Sequence, residues 1–84
     1  MIQYFRGDCM AKFTIKFAWD DEAYVWMATS DDFVGLVLED GSLDVLMYRV
    51  RLAAPEMLEL NHGYKGDAEF DFVLAHQERL VVGG

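Results

Sequence analysis

The chain has 84 residues, of which 54% are hydrophobic and 14% aromatic, and its fifteen acidic and seven basic side chains leave a net charge of −8. So short a chain hides only about 60–65% of its unfolded surface, which leaves room for one core and none for a separate catalytic module, while its apolar content excludes disorder. A surface of that sign repels phosphate backbones and attracts basic partners, which argues against direct nucleic-acid binding, and it also keeps an aromatic-rich protein in solution.

Met10-Ala11-Lys12 reads as a start in its own right, so Met1 to Cys9 is either an upstream addition or, through Tyr4 and Phe5, an edge strand. The organisation expected is therefore an N-terminal extension over residues 1–11 and a single domain over residues 12–84. Cys9 is the sole cysteine, which excludes an intramolecular disulfide or a thiolate metal cluster. The start of the chain has no basic segment followed by an apolar run, and no apolar stretch approaches the roughly 20 residues of a membrane span. A cytoplasmic protein without cofactor or metal is expected.

From Lys12 the residues alternate, with Phe13, Ile15, Phe17 and Trp19 on one face and Lys12, Thr14, Lys16 and Ala18 on the other, the pattern of a half-buried strand. Asp20, Asp21 and Glu22 interrupt it, and Ala23 to Thr29 reads as an antiparallel return strand. A loop of three acids sets Phe17 against Val25 and Ile15 against Met27; a loop of four moves Tyr24 and Trp26 to the other face. The sequence leaves this register open, because a one-residue slip exchanges the two faces. Either way strand two carries large apolar groups on both sides, so one side is expected to meet something besides its own core.

Ser30 to Val34 is turn-like, Leu36 to Glu39 is a short third strand, and Asp40-Gly41 ends it. Ser42 is a natural N-cap, Asp44 complements the helix dipole, and Leu43, Leu46, Met47, Val50, Ala54, Met57 and Leu58 recur at helical spacing. At Pro55 the helix is expected to kink or restart before reaching Leu60, with Asn61 or Gly63 as its end. Phe70, Phe72 and Leu74 then mark a last strand over residues 69–75, with Leu80 to Val82 as a candidate extension. The fold class expected is α+β: an antiparallel three-strand meander, one helix across one face and a further C-terminal strand.

Phe13-Thr14-Ile15, Trp19-Asp20, Glu22-Ala23, Val25-Trp26, Ala28 and Ser30, then Asp32, Gly35-Leu36 and Glu39, resemble the HicB-like superfamily. Pro55-Glu56 and Leu58-Glu59-Leu60-Asn61 extend the likeness toward a branch of it catalogued as a domain of unknown function, so the resemblance spans Lys12 to Asn61. It implies a partial RNase H-like β-β-β-α-β fold. It also implies the partner-binding half of a toxin–antitoxin system, a domain that covers the active site of a small basic ribonuclease while an appended segment binds DNA. Two departures are visible: Val34 stands where the family usually has proline, and nothing after the last strand is long or basic enough for a DNA-binding module.

Asp20, Asp21 and Glu22 could be compared with a carboxylate metal site, but such sites draw acids from separate strands, and three consecutive acids at a hairpin tip serve the turn. His62 and His76 lack the spaced Cys or His companions of a zinc site, and His62 is better read as a cation at the negative end of the helix. Pairing Cys9 with a histidine would need an oxyanion-type glycine loop, which is missing. The chain is thus expected to be no enzyme. Tyr24, Trp26, Tyr48 and Leu52 are the candidate partner-binding residues, since aromatic anchors dominate interfaces and Val45, Tyr48 and Leu52 form a second helical stripe. For Trp26 core packing explains the residue equally well, and Arg49 and Arg51 beside the stripe read as a solvated face or as partners for acids on a second subunit. The function expected is neutralisation of a small basic ribonuclease toxin by a homodimeric, antitoxin-like module; the alternative is an orphan homodimeric scaffold without a toxin.

Overall fold

A computed structural model of the chain describes residues 11–32 and 34–83. Strands β1 (Ala11–Asp20), β2 (Val25–Thr29) and β3 (Val37–Asp40) precede a helix, α1 (Leu43–His62), and a last strand, β4 (Ala68–Ala75). They form one mixed sheet in the order β3-β2-β1-β4, with β4 parallel to β1 and the other two pairs antiparallel. This is the expected α+β fold. Tyr4, Phe5, Cys9 and the proposed start at Met10 lie outside the described residues; Ala11, assigned to the extension by sequence, is already in β1 and pairs with Ala68.

The hairpin register follows the four-residue loop. Asp20 pairs with Val25, leaving residues 21–24 as the turn, so Phe17 faces Ala28 and Trp19 faces Trp26. Strand two therefore starts at Val25 and not at Ala23. Asp20 builds the turn itself: its Oδ1 accepts from the amides of Glu22 and Ala23 at 3.0 and 3.3 Å, and its carbonyl accepts from Tyr24 N–H at 2.8 Å. Beyond β2, the Ser30 hydroxyl donates to the Thr14 carbonyl and the Asp32 carboxylate accepts from Thr14 N–H, so side chains continue the ladder where the strand stops.

On the helix side of the sheet, Ile15, Phe17 and Ala28 meet Leu36, Leu46, Val50, Ala54 and Leu58, and these residues are the buried core. The apolar spacing of α1 produces this: its buried positions at 46, 50, 54 and 58 fall on one line of the helix. Ser42 caps the N-terminus, its hydroxyl accepting from Val45 N–H, and Gly63 ends the helix in the left-handed region at φ 66°, its amide bonding to Glu59 O at 3.1 Å. The helix is continuous through Pro55 and does not restart there. The proline removes one backbone bond, but Ala54 and Leu58 on either side of it are buried, and that packing holds the axis together. Residues 80–82 do not extend β4, which ends at Ala75.

Candidate protein-binding surface

The outward side of α1 carries Val45, Tyr48 and Leu52, which are 46%, 59% and 61% exposed. At about 100° per residue they point away from the line through 46, 50, 54 and 58, so the second stripe lies opposite the core. Asp44 precedes this stripe and Glu56 and Glu59 follow it, all three exposed. The two arginines of the helix are drawn off to its flanks. Arg49 donates to the Glu39 carbonyl at 2.7 Å and pairs with Asp40 at 3.4 Å, on the β3 side. Arg51 sits over the Phe72 ring, 5.8 Å from its centroid, on the β4 side. What remains facing solvent is an apolar, aromatic-bearing stripe with acids at both ends.

Tyr24 is at the tip of the β1–β2 turn, 74% exposed, in a left-handed conformation at φ 56°. Its ring meets the edge of Trp19 at 6.3 Å. Trp26 is half-buried on the helix side of the sheet, in an edge contact with Trp19 at 5.6 Å and against His76 at 5.6 Å. It packs against the core. On the open face strand two carries Val25, Met27 and Thr29, with Met27 opposite Ala18 and Glu39. The four candidates thus divide: Tyr48 and Leu52 share one helix face, whereas Tyr24 and Trp26 belong to the hairpin end.

Two features were not legible as sites. His76 follows β4, packs against both tryptophans and pairs with Glu78 at 3.4 Å, an arrangement that depends on the parallel β1–β4 pairing. A groove also opens between α1 and β4, lined by Val50, Arg51, Ala54, Pro55, Phe70 and Phe72. Asp20, Asp21 and Glu22 remain together at the hairpin end, where Asp20 serves the turn and Asp21 accepts from the Trp19 indole at 2.6 Å. Among the described residues no group of three or more His, Cys, Asp and Glu side chains is placed to hold a metal ion, and no helix is long and apolar enough to cross a membrane.

The family model described as a domain of unknown function, DUF1902, matches residues 12–83. Among solved structures, the crystal structure of hypothetical protein TTHA1013 from the extremely thermophilic bacterium Thermus thermophilus is similar. It is 33% identical, the match covers 83% of this chain and 97% of that one, and the TM-score is 0.63. No functionally curated protein matches.

Proposed function

Because the chain belongs to the DUF1902 family of domains of unknown function, its membership brings no activity with it, and we propose from its surface that it is a non-catalytic protein-binding module, antitoxin-like in action. The partner is a small basic ribonuclease, bound in the cytoplasm on the outer face of α1 so that its RNA site is covered.

The observation that carries this reading is the acid-ended stripe of Val45, Tyr48 and Leu52. An aromatic anchor and two aliphatic groups supply the desolvated centre, Asp44, Glu56 and Glu59 supply complementary charge to a basic surface, and Arg49 and Arg51 are occupied elsewhere. The resemblance to the HicB-like superfamily and the net charge of −8 support the same partner class. Tyr24 adds a second exposed aromatic at the hairpin end for a partner large enough to reach it.

The test is capture of partners from the source cytosol with tagged protein at low and moderate salt, followed by an RNA-cleavage assay of what is captured. A small basic ribonuclease that is silenced by the chain, and that is released at least tenfold more readily by Leu52→Asp, is the expected result. Capture that ignores both salt and Leu52→Asp rejects the stripe as the site. The orphan homodimer is the second reading, favoured by the uncovered flank along β4; recovery of the chain alone would make it the better one.

A further inference from the structure

We infer that a second copy of this chain pairs with β4 edge to edge, antiparallel about a twofold axis at Phe72, joining two four-stranded sheets into one of eight strands. The starting observation is the sheet order. Among the described residues β4 has β1 on one side and no strand on the other. It is eight residues long and pairs with β1 without a bulge from Ala68 to Ala75. It contains no proline and no lysine, and its two charged residues, Glu69 and Asp71, both lie on the open face of the sheet. The opposite edge, β3, has four residues and ends in Glu39 and Asp40.

The helix leaves the β4 side uncovered. The α1 backbone lies nearest β2 and β3, and Phe70 and Phe72, though packed against the core, are left half-exposed along the groove between α1 and β4, with Leu74 49% exposed beyond them. Phe70 and Phe72 rest on Phe13 and Phe17 within the monomer, and their outer sides form an apolar shelf beside this edge.

The strand is also self-complementary about Phe72. In that register Phe70 meets the partner's Leu74 on the helix side, and Asp71 meets the partner's Val73 on the open side, so no acid opposes an acid. A register centred on Asp71 would oppose two carboxylates. The Phe72 register carries the segment after β4 past the far end of the partner's strand: Leu80 comes level with the partner's Tyr64, Arg79 with the partner's Lys65 and Glu78 with the partner's Gly66. Leu80, Val81 and Val82, now 77%, 85% and 94% exposed, are thereby brought to the partner's second groove, lined by Pro55, Leu58, Tyr64 and Phe70. Four features, the edge without a neighbouring strand among the described residues, the half-exposed shelf, the register that opposes no two acids along β4 and the apolar tail, therefore select the same occupant.

The experiment is light scattering of the full chain over a concentration series, with Val73→Asp and the double variant Asp71→Lys/Val73→Asp. The new aspartate pairs across the sheet with Lys16 of its own chain, so folding is preserved and is checked by circular dichroism. Val73→Asp is expected to weaken the dimer at least tenfold by setting it against the partner's Asp71, and Asp71→Lys is expected to restore it. A monomer at every concentration, a dimer indifferent to Val73→Asp, or a dimer broken by Leu52→Asp instead would each overturn the inference. Capture of a basic partner by Val73→Asp separates this seam from the α1 stripe, since that surface is untouched.

Discussion

Tyr24 is, at the residue scale, the one described non-glycine side chain at positive φ, and nothing about a tyrosine announces that conformation. The left-handed region costs a non-glycine residue roughly 1 kcal/mol or more, and here it is imposed by the loop of four between paired Asp20 and Val25. The return strand was read as starting two residues early for the same reason, since Ala23 and Tyr24 suit a strand by type while the turn claims them by geometry. Tyr24→Gly is expected to leave the protein as stable or to stabilise it by up to about 1 kcal/mol, because relief of the backbone offsets loss of the Trp19 edge contact. Urea titration reads this; a loss above about 1 kcal/mol would mean that the ring holds the hairpin. If Tyr24 also touches the partner, the same variant weakens capture while stability holds.

At the scale of elements, the helix was the most legible part, because its signals are local and agree: Ser42 as cap, apolar residues at helical spacing and Gly63 at the end. The helix does not restart at Pro55, for an equally physical reason. A proline penalty of about 3 kcal/mol is enough to break an isolated helix, but Val50, Ala54 and Leu58 are buried on both sides of it, and this tertiary packing outweighs the local defect. Pro55→Ala is therefore expected to stabilise the domain by about 1–3 kcal/mol, since it restores an N–H to the helix ladder at an exposed position. Denaturant unfolding checks it, and a destabilised variant would mean that the ring itself packs in the α1–β4 groove. Strand alternation located β1 and β4 but is blind to direction and neighbour. Their parallel pairing, and with it the groove, the bare edge and the position of His76 against the tryptophans, could not be read from periodicity.

For the whole molecule, charge gives two contacts opposite responses to salt. Each chain carries −8, and among its described residues the Lys and Arg pairs Lys12–Glu69, Arg49–Asp40 and Lys65–Glu59 join side chains mostly open to solvent and relieve little of the self-repulsion. Joining two such chains along β4 concentrates like charge, so added salt lowers the opposing field and should tighten the homodimer. The complex with a basic ribonuclease rests on attraction between unlike surfaces, so the same salt should loosen it. Between about 0.02 and 0.3 M NaCl the Debye length falls from roughly 20 to 6 Å, shorter than the span of either interface. Sedimentation of the chain alone and of the chain with its captured partner, over one salt series, should therefore show dimer dissociation constants falling while those of the mixed complex rise. If both rise together, attraction between unlike charges also holds the homodimer, and self-repulsion is not what opposes it.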